Sequence, residues 1–135
     1  MKRLIFLAMM TVCSVSWAEW ELCGSSGVDD KKAMFFCETS TIRRNGEISR
    51  MWEITTYTKV QTNARGDRYM SFKALKAYNC RDFTQAAISF VLYSEMSGEG
   101  NAVLSNTRQE SELEWIPIPP GTTGETLWKF ACGKK

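Results

Sequence analysis

The sequence has no histidine, only three prolines and no apolar run long enough to cross a bilayer. Without histidine there is no Ser-His-Asp triad, no Cys-His pair and no His-ligated zinc or haem. All three prolines fall in Pro117-Ile118-Pro119-Pro120, so the rest of the chain is free to pair as strands. Neither G-x-x-x-x-G-K-[ST] nor G-x-G-x-x-G is present, which removes the common phosphate-cradling loops. Charge is also nearly absent as a signal. Lys+Arg number 17 against Asp+Glu 15, a balance that does not mark a nucleic-acid binder. A length of 135 residues fits one domain with a real core.

What is present begins with an address. Lys2 and Arg3 form a basic start, and Leu4 to Val15 is mostly apolar. Small residues flank Trp17 in Ser16-Trp17-Ala18, the pattern of a cleavage site. The apolar stretch is about 12 residues, where a membrane span needs roughly 20. Residues 1–18 are therefore expected to be a signal peptide, and 19–135 a single exported domain with no integral membrane segment. Lipid attachment at Cys13 is the competing reading, but Met10-Thr11-Val12 before it lacks the small residues that this requires. Cleavage after Ala18 leaves 117 residues and removes two bases, so 15 bases meet 15 acids and the net charge is zero.

It also leaves four cysteines: Cys23, Cys37, Cys80 and Cys132. An even set in an oxidising compartment reads as two disulfides, and no C-x2-C suggests zinc. Three pairings are possible. The favoured one is Cys23–Cys37, tying the first segment to the next strand, with Cys80–Cys132, pinning a C-terminal helix to a sheet. The chain-entropy model assigns the shorter loop about 3 kcal/mol and the longer about 4 kcal/mol.

Along the exported chain, Glu19 to Cys23 reads as a short edge strand, and Gly24-Ser25-Ser26-Gly27 as a loop. Ala33 to Cys37 reads as a strand, followed by a tight turn at Asn45-Gly46. Glu47 to Gln61 alternates, with Ile48, Trp52, Ile54 and Val60 on one parity and Ser49, Glu53, Lys59 and Gln61 on the other. Arg50 interrupts the apolar parity. Arg68 to Cys80 is apolar on both parities, which suggests a central strand or a bulge. Ala87 to Ser94 and Ala102 to Ser105 complete the strands, and Thr107 to Glu114 is polar and irregular. Regular pairing is not expected around the prolines. Thr122 and Glu125 fit a capping box opening a short helix, which Gly133 ends. The expected fold is α+β, mainly β: an antiparallel sheet of four to six strands, a short C-terminal helix and two disulfides.

No catalytic, cofactor-binding or metal-binding residue stands out. Glu53, Glu95, Glu99, Glu110, Glu112 and Glu114 could supply a carboxylate pair for glycoside hydrolysis, but nothing places two of them together. Ser25 and Ser26 lack a nucleophile elbow and a base. A binding surface fits better. Arg43, Arg44, Arg65 and Arg68 flank two turns and would form a basic patch for acidic protein segments if those turns share one end of the sheet. Aromatics near these arginines are too few for single-stranded nucleic acid. Trp52, Trp115 and Trp128 are expected in the core.

Three stretches together resemble the surface-adhesin protein E family of small exported bacterial proteins. These are Ser40-Thr41-Ile42-Arg43-Arg44-Asn45-Gly46 with Met51-Trp52-Glu53, then Lys73-Ala74-Leu75 with Tyr78-Asn79-Cys80-Arg81, and finally Trp115 to Thr122 with Glu125 to Cys132. The resemblance covers about Ser40 to Lys135. It implies an antiparallel sheet with a C-terminal helix, a Cys80–Cys132 disulfide, and adhesion to host extracellular-matrix or serum proteins. The chain departs from the pattern by adding Cys23 and Cys37, and by Thr122 where serine is expected. The expectation is thus a non-enzymatic exported binding protein without a cofactor, in the periplasm or at the cell surface, with a protein partner and room for a homo-oligomer. The alternative is a periplasmic structural or accessory protein with no host ligand.

Overall fold

The computed structural model describes residues 19–134. The expected signal at 1–18, and Cys13 within it, lie outside the described residues. Eight strands and one helix follow in order: β1 (Trp20–Ser26), β2 (Ala33–Glu38), β3 (Arg43–Asn45), β4 (Ile48–Thr62), β5 (Arg68–Asn79), β6 (Thr84–Tyr93), β7 (Ala102–Thr107), β8 (Ile116–Pro117) and α1 (Thr123–Cys132). They form one antiparallel sheet in the order β1-β2-β4-β5-β6-β7, with β3 added to β4 and β8 to β6. Six strands make the main path, and the two additions are short.

Two segments pair where the sequence argued against it. Gly24, Ser25 and Ser26 continue β1 opposite Phe35, Met34 and Ala33, because an edge strand needs only one row of backbone bonds and tolerates glycine and serine. Pro117 pairs with Thr84 in the two-residue β8, and the Ile118 N–H then donates to the Phe83 carbonyl at 3.1 Å. A proline is admitted there because β8 is an edge, where its missing donor has no ladder bond to make.

Helix α1 covers one face of the sheet. Leu127, Ala131 and Cys132 pack on Met51, Tyr78, Cys37, Cys23 and Ile118. The β4 residues beneath the helix are Ser49, Met51 and Glu53, all at most 1% exposed. The parity under the helix is therefore the more polar one. On the opposite face Ile48, Arg50 and Trp52 are half-buried and Ile54 and Thr56 are buried, while Val60, in the irregular stretch that follows, is exposed. The polar groups under the helix are satisfied. The Ser49 hydroxyl donates to the Ala131 carbonyl at 2.5 Å, and the Tyr78 hydroxyl donates to the Glu53 carboxylate, whose other oxygen lies 3.3 Å from Lys76 Nζ. Burial makes such partners obligatory.

Both disulfides are present as Cys23–Cys37 and Cys80–Cys132, with Cα separations of 6.0 and 5.7 Å. Cys23 is the extra residue of a bulge between Leu22 and Gly24, which leaves it outside the ladder. Strand β5 is central, and the pairing beside it is irregular on both sides, at a bulge on β6 at Ile88, opposite Leu75 and Lys76, and on β4 between Thr56 and Gln61. The helix opens at Thr122, whose side chain accepts from the Glu125 N–H. Glu125 reaches one residue further back than a capping box, accepting from the Gly121 N–H at 2.6 Å, and that bond holds its carboxyl below the usual range. At the other end Gly133 adopts φ 64°, and Lys134 and Gly133 donate to the Lys129 and Phe130 carbonyls, a Schellman ending.

Candidate functional site

The face opposite the helix is closed at one end and open at the other. At the closed end the turn Met96–Gly98 lies on β4 and β5. Its Ser97 and Gly98 N–H groups donate to the Thr56 and Ser71 hydroxyls at 3.1 and 2.8 Å. Six residues back along β4, roughly 20 Å away at the rise of a strand, nothing equivalent covers the sheet. There the β3–β4 hairpin, turning through Gly46 at φ 61°, sets Arg43 opposite Arg50 and Asn45 opposite Ile48. On the other side of β4, Ala77 stands opposite Arg50. An alanine between longer side chains makes the floor of a groove of about 540 Å³.

The far wall comes from the connection between β7 and β8. Strand β7 is separated from β4 by β5 and β6. Even so, the following segment brings Glu110 into an ion pair with Arg50 and sets Leu113 and Trp115 along the groove. This strap is organised within itself. The Gln109 side chain and Glu112 cap the short turn Glu110–Glu112 reciprocally, and Arg108 lies 3.7 Å from Glu114. Its Arg108 N–H is tied to the Ile88 carbonyl at 2.8 Å. Trp115 is 38% exposed, so this tryptophan, expected in the core, instead edges the groove. Trp128 does pack inside, against Phe83 with ring centroids 4.4 Å apart, donating its indole N–H to the Asn79 carbonyl at 2.9 Å.

The four arginines expected as one patch do not meet. Arg43 and Arg44 lie on β3 beside the start of β4, whereas Arg65 and Arg68 surround the Asn63–Asp67 turn at its far end. Nine residues of β5 separate Ala77, in register with Arg50 and Arg43, from Arg68, roughly 30 Å at the rise of a β-strand. Arg44 also points to the other face. Its guanidinium donates to the Cys132 carbonyl at 3.3 Å and its Nε to Gly46 at 3.1 Å, so it serves the helix C-terminus. Arg65 faces Asp67 at 4.0 Å.

Arg50 takes the place that the distant pair vacates. In the sequence Arg50 stands out only as a break in an apolar face. The usable signal was that break together with an acidic tract further along, but their meeting depends on topology. Among the described residues Arg43 has no acidic partner; one of its nitrogens donates to the Ile42 carbonyl at 3.2 Å. The groove therefore carries more positive than negative charge beside an apolar wall of Ile48, Leu113 and Trp115. Its volume falls within the usual range of ligand sites.

Of the carboxylates considered for catalysis, Glu53 is buried against Tyr78 and Lys76, Glu110 pairs with Arg50, and Glu114 pairs with Arg108. Burial, reinforced by the Glu53 charge, raises the Tyr78 hydroxyl well above its ordinary value. The four cysteines are consumed in disulfides, and the described residues contain no cluster arranged to hold a metal ion. No helix among them is long and apolar enough to cross a membrane.

A family model described as Surface-adhesin protein E matches residues 20–133. None of the curated proteins compared with the chain matches it. Among solved structures, crystal form II of Haemophilus influenzae protein E superposes with a TM-score of 0.54 at 15% identity, covering 73% of this chain and 80% of that one. A second structure of Haemophilus influenzae protein E gives 0.53 at 15% identity, over 73% and 76% of the two chains. Protein E from non-typeable Haemophilus influenzae gives 0.51 at 15%, over 73% and 69%. At that identity the likeness speaks to the fold.

Proposed function

The chain belongs to the surface-adhesin protein E family, and from that premise we propose that it is an exported, non-enzymatic binding protein that attaches to a host extracellular-matrix or serum protein. The observation that carries this reading is the groove, where Arg43 and Arg50 stand side by side next to an exposed tryptophan. Aromatic and arginine side chains are the residue types that dominate protein–protein contacts. Unbalanced arginines favour a partner whose contacting segment is acidic. A signal at 1–18, release to the periplasm and display at the cell surface belong to the same proposal, as does binding without a cofactor.

The test is capture of purified matrix and serum proteins by the oxidised, exported protein, compared with the R43E/R50E double variant. The expected result is capture by the wild type that the double variant loses. Capture of nothing, with the wild-type protein held wholly in the periplasmic fraction, overturns the proposal in favour of a periplasmic accessory role.

A further inference from the structure

We propose that the groove is a receptor for a carboxylate flanked by an apolar side chain on a partner's acidic segment, and that Glu110 is a built-in occupant which such a segment displaces. The inference deepens the reading above and rests on it. Two arginines set directly opposite each other on neighbouring strands repel, and an anion between them relieves that repulsion. Among the described residues one such anion is supplied, and from outside the sheet: Glu110 reaches Arg50 from the strap and leaves Arg43 unanswered. The Glu110 side chain is 72% exposed and that of Arg50 is 42% exposed, so water and a competing carboxylate can both reach the pair. Exposed pairs of this kind are weak, and a partner that satisfies both arginines displaces a side chain that satisfies one.

The strap also shows what chemistry the groove accepts. Within a few residues it presents a carboxylate to Arg50 and supplies Leu113 and Trp115 as apolar lining beside that pair. An incoming segment with alternating acidic and aliphatic residues places a carboxylate at Arg50 and apolar side chains against Ile48, Leu113 and Trp115. The strap's own bonds, the Gln109–Glu112 capping and the Arg108–Glu114 pair, do not involve Arg50, so it keeps its shape when Glu110 lets go.

The experiment is fluorescence anisotropy of a fluorescein-labelled peptide of alternating glutamate and leucine, titrated with the full exported protein and its variants. Binding by the wild type is expected to weaken with salt and to be absent for a lysine–leucine peptide. Removing the internal competitor in E110Q is expected to tighten binding about fivefold, the strength of an exposed ion pair. E110K should tighten it at least as much, and R50Q should weaken it about tenfold. Cooperative melting by circular dichroism shows that the variants are folded.

Equal affinity of wild type, E110Q and E110K overturns the displaced occupant, and binding that R50Q leaves unchanged overturns the groove. Self-association of E110Q in sedimentation, with the peptide excluded, overturns the foreign partner and assigns the groove to a second copy of the chain. Capture of a matrix protein that is indifferent to all these variants sinks the groove proposal alone. Peptide binding as expected with no host protein captured sinks the host-binding reading alone.

Discussion

Arg43 faces Arg50 across the β3–β4 ladder, and Glu110 neutralises only the second of them. Like charges directly opposite each other on adjacent strands destabilise a sheet, so under the proposed function this position trades stability for binding.

The R43T variant is accordingly expected to be more stable than the wild type, by about 0.2–1 kcal/mol. Threonine suits a pleated strand and removes the repulsion. A rise in the urea midpoint with an unchanged slope is the expected observation, accompanied by weaker capture of a protein partner. A loss of stability would show that Arg43 contributes packing to the hairpin.

Glu53 is the hub of the polar contacts under the helix, and its removal should be severe. The E53A variant strands the Tyr78 hydroxyl and Lys76, and a cost of about 3 kcal/mol is expected from a broken buried pair. E53Q keeps an acceptor for Tyr78 and should retain part of that difference. Chemical denaturation of the two variants side by side checks the ranking.

The alkaline limb of stability should belong in large part to Tyr78. Its hydroxyl is raised by burial first and by the Glu53 charge second, from an ordinary value of 10.0. Below that pH the hydroxyl is protonated in both states, and its contribution is fully present. Above it the unfolded tyrosine ionises while the folded one keeps its proton, so stability falls by about 1.4 kcal/mol per pH unit until the folded group also titrates. Tyr57, raised mainly by partial burial, adds in the same direction. Urea titrations from pH 9 upward should show a shallower decline for Y78F.

The two disulfides should differ in worth. The loops they close span 14 and 52 positions, so on the chain-entropy model losing Cys80–Cys132 costs about 1 kcal/mol more than losing Cys23–Cys37. Thermal melts of the two double alanine variants measure the difference. Loss of Cys80–Cys132 should also speed amide exchange in Thr123–Cys132, since the helix then keeps only its packing and caps.

Local chemistry was legible in the sequence, and the choice between faces was not. The Thr122 cap, the Gly133 ending and the edge strand at Trp20 each follow from a few adjacent residues, and the structure contains all three. The alternation of β4 correctly marked a strand. Periodicity alone cannot say which parity the helix will cover, and Ser49 and Glu53 are buried because Ala131, Tyr78 and Lys76 provide partners from distant positions. The site fared likewise. Arg43 was visible as a candidate, but its neighbours Arg50 and Glu110 are brought together by a connection that passes two strands. Arg65 and Arg68 join the patch only if the two turns share one end of the sheet, and one long strand sets those turns apart.

The placement of the disulfides has a mechanical consequence. Tension applied between the ends of the folded domain passes from Cys23 straight to Cys37, and from Cys80 straight to Cys132. Only residues 38–79 can be drawn out between those short circuits. Residues 81–131, with β6, β7, the strap and most of the helix, lie in a loop that the second disulfide shields from covalent stretching. Force therefore reaches the two sides of the groove by different routes: along the backbone on the β3–β4 side, and through sheet hydrogen bonds and side-chain contacts on the Glu110 side.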